Sequence, residues 1–258
     1  MVSIIIPTFR RPDLLRRALF SVACQTVHDF EVIVVDDGSP EESDYQKVAK
    51  DFGKIFMEFS YLRNVSNLGA NAARNIGIRN SHYGLLAFLD DDDEWMPAKI
   101  ERQLAMFRRA NSSVGLVYAW ADTKDETGAV LYEYRAQIEG KAIKEILESC
   151  FIPSPTVMVR KSAIMEAGCF DEKLVSCQDW DMWTSIISLG YECLVAKEVL
   201  AINHKHGKWS IGNSKLAPKG YYQYYRKHLH KIMMHVGIKR KIAVAFYICR
   251  SLLQNLSR

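Results

Sequence analysis

Short runs of β-branched residues alternate with amphipathic segments through the first 120 residues, and this alternation limits the possible folds more than any other feature. The runs Val2–Ile6, Phe30–Val35 and Leu85–Leu89 have the apolar content of strands buried on both faces. Between them, Pro12–Gln25 and Ala70–Ile78 carry apolar residues at helical spacing. Strands joined through single helices predict an α/β fold with a doubly wound, mostly parallel, Rossmann-like sheet.

The pattern loosens after residue 120. A hairpin is predicted at residues 123–135, a strand at Thr156–Arg160 and a helix at Asp179–Leu189. We predict one domain over residues 1–215, with halves 1–120 and 121–215, followed by a basic amphipathic helical tail at 216–258.

Charge is divided unevenly along the chain. The net charge of +4 combines an acidic first part with a tail from Val199 onward that holds 12 Lys or Arg and no carboxylate. Four tyrosines, 221, 222, 224 and 225, accompany these cations. We expect the tail to face an anionic lipid surface, since no nucleic-acid module accompanies the charge. A solvated packing helix is the alternative.

Composition bounds the class of protein. Hydrophobic residues make up 48% and charged residues 25%, which is typical of a globular chain. No apolar run approaches the roughly 20 residues that cross a bilayer, and we expect no export signal. The six cysteines form no CxxC pair, so we expect reduced thiols in the cytoplasm.

Two acidic clusters follow predicted strands, where doubly wound sheets bind ligands. They are Asp36-Asp37-Gly38-Ser39 and Asp90-Asp91-Asp92-Asp93. Four adjacent carboxylates repel one another unless water or a divalent cation separates them, and an all-oxygen set suits Mg²⁺ or Mn²⁺. The alternatives are an ordinary turn for the first cluster, and for the second an acidic loop that caps the next helix.

A third cluster, Gln178-Asp179-Trp180-Asp181, opens a predicted helix. The carboxylates could complement the helix dipole and the indole could be core, but a carboxylate beside an indole also suits a sugar. No GxGxxG or GxxxxGK[ST] motif occurs, so a glycine-rich phosphate loop is disfavoured.

The clusters together resemble a known family, the inverting family 2 glycosyltransferases of the GT-A fold. The resemblance rests on an ordered series: Ser3–Phe9 with Val35–Ser39, then Asn67-Leu68-Gly69 with Ala73-Arg74-Asn75, then Phe88–Asp93, then Gln178–Asp181. It runs from residue 3 to about residue 210.

The resemblance implies a role for each candidate residue. Thr8, Asp36 and Asp37 would bind the nucleotide of a UDP-sugar. Asp91 would lie near the ribose and Arg74 near the diphosphate. Asp179 would be the catalytic base, although many members have Glu where this chain has Gln178.

For the metal, Mn²⁺ or Mg²⁺, the resemblance implies Asp92 as the direct ligand in the DxD region, with Asp90, Asp93 and His206 close by. Trp180 and Asp181 would contact the acceptor. A separate zinc site at the His-x-His pairs is disfavoured.

Residues 1–120 would therefore bind the nucleotide sugar and residues 121–215 the acceptor. We expect a lipid-linked saccharide acceptor, peripheral contact with the cytoplasmic face of the inner membrane, and a place in surface polysaccharide assembly such as O-antigen or capsule. The alternatives are a sugar-nucleotide nucleotidyltransferase, which would normally have a glycine-rich stretch after the first strand, and a catalytically silent glycan-binding module.

Overall fold

The computed structural model of the protein describes residues 1–205 and 216–256, and strands and helices alternate through its first half. The strands are β1 Val2–Thr8, β2 Phe30–Asp36, β3 Phe59–Arg63, β4 Leu85–Phe88, β5 Glu94–Trp95, β6 Val114–Lys124, β7 Val130–Tyr134, β8 Met158–Arg160 and β9 Glu192–His204. The helices are α1 Pro12–Ala23, α2 Glu42–Phe52, α3 Ala70–Asn80, α4 Lys99–Arg109, α5 Ile143–Glu148, α6 Lys161–Glu166, α7 Gln178–Ser188, α8 Ala217–His235 and α9 Ile238–Leu256.

One mixed sheet joins these strands in the order β3-β2-β1-β4-β8-β6-β9-β5, with β7 paired to β6. The strands β3, β2, β1 and β4 are parallel, as are β6 and β9. The strand β8 runs antiparallel to both β4 and β6, and it joins the two halves of the sheet. The predicted α/β class and helical C-terminal region are confirmed, and β5, β7 and β8 contribute the antiparallel pairs.

The parallel half brings three loops to one edge. All seven residues of β1 and of β2 are buried, because helices cover both faces of the sheet. Register pairs Thr8 with Asp36, and the N–H of Leu89 bonds to the carbonyl of Ile5 at 3.1 Å. The segments after β1, β2 and β4 therefore leave the sheet at its carboxyl edge, where such sheets bind ligands.

The helices divide between the two faces of the sheet. On one face α1, α2 and α4 pack their apolar residues against the strands, and on the other α5, α6, α7, α8 and α9 do so. At the crossing of α3 and β1, a Cβ on Gly77 would collide with Cγ2 of Ile5, so a glycine allows this approach. In the described residues, no helix combines the length and apolar character needed to span a membrane.

Three elements differ from the sequence-based expectation. The strand β9 is 13 residues long and pairs with β6 through several register shifts, which blur the alternation that would reveal it. The strand β5 has only two residues, and α6 has six. Both are too short to give a periodic signal.

Candidate active site

The aspartates 90–93 lie directly after β4, at the carboxyl edge of the parallel strands. Asp91 is fully buried and accepts hydrogen bonds from Thr8 Oγ1 at 2.6 Å and from Arg11 Nη2 at 2.5 Å. Burial raises the pKa of Asp91 to about 7, although Arg11 and Thr8 oppose the rise. The ends of β1 and β4 are thus held together through a carboxylate.

Asp92 is more accessible, with 22% of its side chain exposed. It accepts a hydrogen bond from Arg11 Nη1 at 2.6 Å, so that one guanidinium bridges two of the aspartates. Arg11 was not among the site residues predicted from the sequence. A sequence signal for Arg11 does exist. It is a basic residue just after one strand, when the neighbouring parallel strand is followed by a run of aspartates.

Asp90 pairs with Arg74, a residue of α3. Arg74 Nη2 lies 2.6 Å from Asp90 Oδ1, and the Arg74 side chain is 6% exposed. The buried Nε of Arg74 has no hydrogen-bond partner among the described residues. A buried guanidinium with an unused N–H beside a partly exposed carboxylate suits a phosphate oxygen.

Asp179, the second residue of α7, comes to the same place from the other half of the chain. Burial raises the pKa of its carboxyl group, Arg74 lowers it through charge, and Asp90 raises it. Asp179 thus lies within electrostatic reach of both residues. A carboxylate with a raised pKa next to a cation that can hold a phosphate is suited to act as a general base.

A divalent cation at this edge would need carboxylates that are accessible to it. Asp93 is buried and accepts a hydrogen bond from the N–H of His204 at 3.1 Å, and burial with its aspartate neighbours raises its pKa well above the ordinary value. Within residues 1–205 and 216–256, no group of three His, Cys, Asp or Glu side chains is arranged to hold a metal ion. His206 lies outside the described residues. Asp90 and Asp92 remain accessible, and two carboxylates completed by substrate phosphates are a common Mg²⁺ or Mn²⁺ arrangement.

Asp36 and Asp37 shape the loops beside this edge. Asp37 accepts the backbone N–H groups of residues 68 and 69 at 2.9 and 2.7 Å. Asp36 is fully buried and accepts from Tyr61 Oη at 2.7 Å, with Arg63 Nε at 3.3 Å. Asp37 therefore fixes the backbone of a loop, and Asp36 holds two side chains of β3, at the place where the resemblance puts a nucleotide.

The structure differs from the expectation for Trp180 and Asp181. Trp180 is 7% exposed, and its ring stacks on Tyr224 of α8 at 4.0 Å between centroids. Asp181 is 1% exposed, and Lys227 Nζ and His228 Nε2 each donate to it at 2.8 Å. These contacts turn both side chains toward the α8 interface. They leave almost none of either side chain exposed to an acceptor.

Two of the four tail tyrosines also differ from their expected role. Tyr224 is fully buried and Tyr225 is 7% exposed, and both pack against Trp180. They are core residues and do not form a lipid interface. The sequence could not show this, because the α7 surface that they cover is more than 30 residues away along the chain.

The family model described as Glycosyl transferase family 2 matches residues 3–167, which is more than half of the chain. The chain belongs to this family. The match includes the aspartates at the carboxyl edge and ends before Asp179. Membership argues against the nucleotidyltransferase alternative.

Curated relatives of this glycosyltransferase carry related names. An uncharacterized glycosyltransferase of Methanocaldococcus jannaschii is 29% identical over 239 residues, covering 89% of this chain and 79% of the relative. An Escherichia coli protein named for colanic acid biosynthesis, glycosyl transferase WcaA, is 27% identical over 246 residues, covering 90% and 82%. Other relatives are much longer, since the chain spans 27% of a glycosyltransferase of Rickettsia bellii.

Solved structures share the GT-A fold. Staphylococcus aureus TarS in complex with UDP-GlcNAc superimposes with a TM-score of 0.72 at 17% identity, covering 99% of this chain and 72% of TarS. The mannosyltransferase PcManGT of Pyrobaculum calidifontis, in complex with GDP-Man and Mn²⁺, gives a TM-score of 0.67 at 15% identity, covering 96% and 69%. At these identities the likeness concerns the fold.

Proposed function

We propose that this glycosyltransferase moves one sugar, with inversion, from a UDP-sugar to a lipid-linked saccharide during assembly of a surface polysaccharide such as O-antigen or capsule. We also propose that it works as a peripheral protein at the cytoplasmic face of the inner membrane, through its basic tail. The observation that carries the enzymatic part is that Arg74 and Asp90, which pair at 2.6 Å, both act electrostatically on Asp179, because a candidate base and a candidate phosphate site then lie near one another.

The proposed chemistry is a single displacement. Asp179 accepts the proton of the acceptor hydroxyl as its oxygen attacks the anomeric carbon of the sugar. The bond from that carbon to the diphosphate oxygen breaks, and the nucleoside diphosphate leaves with the electron pair. Arg74 would stabilise the charge on the departing diphosphate, and its ion pair with Asp90 supports this role.

Asp92 and Asp90 would hold Mn²⁺ or Mg²⁺ together with the diphosphate. When bound, the metal supplies positive charge to the leaving group. Asp93 and His206 remain further candidate ligands from the sequence. The proposed nucleotide end of the site consists of Thr8, Asp36, Asp37 and Asp91. Thr8 donates a hydrogen bond to Asp91 there.

The supporting likenesses come from outside the chain. TarS was solved with UDP-GlcNAc, and PcManGT with GDP-Man and Mn²⁺. The colanic acid name of the Escherichia coli relative is what favours polysaccharide assembly and a lipid-linked acceptor. These likenesses support the proposed donor, metal and acceptor classes by analogy.

Calorimetric titration of UDP into the purified protein, with and without Mn²⁺, tests the proposed site. We expect manganese-dependent binding that is weakened at least about tenfold in D92A. The matched control is E126A, which removes a carboxylate from an exposed turn. D179N should bind UDP normally and fail to transfer. A folded protein that binds neither UDP, GDP nor dTDP would overturn the proposal in favour of a non-catalytic module.

A further inference from the structure

The two C-terminal helices differ in what covers them. On α8, Tyr224, Tyr225 and His228 are at most 7% exposed, and Lys227 pairs with Asp181. One side of this helix therefore belongs to the core, whereas Met233 and Met234 near its end are 38% and 63% exposed. The basic tail is not a single surface element, and among the described residues α9 has the longer exposed apolar stripe of the two helices.

One face of α9 is settled by its contacts. Val244 is 1% exposed and lies in the same core cluster as α7 and α8, with Tyr247 and Ile248 packed against it. Tyr247 Oη donates to the carbonyl of Pro218 at 3.0 Å. Residues at spacings of three and four thus attach α9 to the protein along one side.

The opposite face is apolar and exposed. Ile238, Ile242 and Phe246 are 68%, 63% and 69% exposed. Their spacing of four residues places them on one stripe, and at 3.6 residues per turn this stripe lies roughly opposite Val244 and Ile248. We call Ile238, Ile242 and Phe246 the outer stripe.

Cations border the outer stripe on both sides. The same helical geometry places Lys239 and Arg250 along one edge and Lys241 along the other. From Val199 to the end, the sequence contains no Asp or Glu that could neutralise them. An apolar stripe between two basic edges is complementary to an anionic lipid surface, which offers acyl chains below and phosphates above.

We propose that the outer stripe inserts into the headgroup region of an anionic membrane, with α9 lying in the plane of the surface. This deepens the peripheral membrane contact of the proposed function and rests on it for its setting. The evidence for the membrane-binding surface itself is the exposure of the outer stripe and the cations on both sides of it.

The cations also favour a membrane over a second copy of the chain as the partner of the outer stripe. In a two-fold dimer that buries the outer stripe, the same patch meets itself, so the edges with Lys239, Lys241 and Arg250 would all come together. No acidic residue in this part of the sequence would offset that repulsion.

Co-sedimentation of the full chain with vesicles tests the proposal. One set is phosphatidylcholine alone, and the other is phosphatidylcholine and phosphatidylglycerol in equal parts. We expect binding to the anionic vesicles, and a loss of at least about tenfold in the partition coefficient for I242Q/F246Q. The matched control is F20Q, because Phe20 of α1 is 65% exposed and should not matter.

A charge variant supplies the second arm. K239Q/K241Q/R250Q should lose the preference for phosphatidylglycerol, and added salt should weaken binding by the wild type. Each variant is first checked for a native far-ultraviolet spectrum and for unchanged UDP binding, so that a failure of this surface is distinct from a failure of the sugar-nucleotide site.

Three results would overturn the proposal. Equal vesicle binding by I242Q/F246Q and wild type would exclude the outer stripe. Equal effects of F20Q and I242Q/F246Q would indicate unspecific adhesion. A dimeric wild type that becomes monomeric in I242Q/F246Q, with no vesicle binding by either, would assign the stripe to self-association.

Discussion

Asp179 and Asp181 stand two residues apart on α7, and the same change to asparagine should affect different properties at the two positions. Asp181 is 1% exposed and accepts from both Lys227 and His228 at 2.8 Å. An asparagine side chain in its place would keep one acceptor oxygen and present an amide N–H₂ to the other donor. D181N should therefore destabilise the fold.

The size of the effect follows from these contacts. Loss of a charge-assisted hydrogen bond costs about 1.5–3 kcal/mol. The lower part of that range applies, because the Lys227 side chain is 38% exposed and also pairs with Asp171 at 3.0 Å. Two donors facing each other in a buried site add about 1 kcal/mol. The sum is about 2–3 kcal/mol, or a fall in Tm of about 5–10 °C for a chain of this size.

D179N removes a carboxylate whose ionised form is disfavoured by burial. Its free energy of unfolding should stay within about 0.5 kcal/mol of the wild type or rise. Release of UDP from a transferred sugar should fall at least about 100-fold, because the acceptor loses its base. Urea unfolding followed by tryptophan fluorescence measures the first quantity, and a coupled UDP assay measures the second.

The roles assigned to Asp179 and Asp181 would be wrong if D181N changed activity and D179N changed stability. Should D181N leave the urea midpoint unchanged and raise only the KM for acceptor, Asp181 would face the acceptor and its burial would be irrelevant. Should D179N unfold as readily as D181N is expected to, Asp179 would be a structural residue. Equal losses in both would show that α7 as a whole had collapsed.

The pH dependence of the free energy of unfolding tests the same buried contact through His228. Burial lowers the pKa of His228 below its ordinary value of 6.5, although Asp181 opposes the change. As the pH falls, His228 therefore binds a proton in the unfolded chain before it does so in the folded chain. The free energy of unfolding should fall as the pH drops below about 6.5. H228Q should flatten that part of the profile, and a slope that is unchanged in H228Q would assign it to other groups.

Three further predictions concern separate parts of the molecule. G38A should lower the free energy of unfolding by about 2–3 kcal/mol, because φ is +76° and a Cβ would lie 2.6 Å from the backbone carbonyl carbon of Ser66. The control G128A, at φ +87° in open space, should lower it by about 1 kcal/mol. Equal urea midpoints for the two variants would mean that the contact with Ser66 has no effect. The acid limb of kcat/KM should lie above the ordinary Asp pKa of 3.8, because burial raises the pKa of Asp179 and the base must be ionised; a pH profile with no fall down to pH 4 would contradict this. K99M should lower the free energy of unfolding by about 1 kcal/mol in urea, because it leaves the buried Oε1 of Gln103 without its donor at 2.7 Å and removes the ammonium that lies 4.0 Å from the centre of the Trp95 ring. A higher urea midpoint would mean that relief from burying the ammonium, whose pKa burial lowers well below the ordinary value, is the larger effect.

Local patterns were enough for much of the parallel half. The β-branched content of β1 and β2 and the helical spacing in α1 are properties of neighbouring residues, so the sequence reveals them directly. The aspartates after β2 and β4 could be placed at one edge by the rule that parallel strands end together. Arg11 was missed because its partners, Asp91 and Asp92, are 80 or more residues away.

The C-terminal third depended on long-range packing. The tyrosines of α8 have the composition of a membrane interface, and only the packing of Tyr224 and Tyr225 against Trp180 identifies these two as core. The exposed stripe of α9 likewise needs the structure, because the sequence pattern alone does not tell which of two apolar faces is covered. Val244 and Ile248 decide that point.

Local patterns and the order of short motifs were sufficient to predict the α/β class, the family and the positions of the acidic clusters. Tertiary structure decided which of these acids remain available. Asp90 and Asp92 stay accessible, whereas Asp181 is buried against α8. The physical reason is that a carboxylate is left for chemistry only where the fold provides no full set of donors for it, and those donors come from distant parts of the chain.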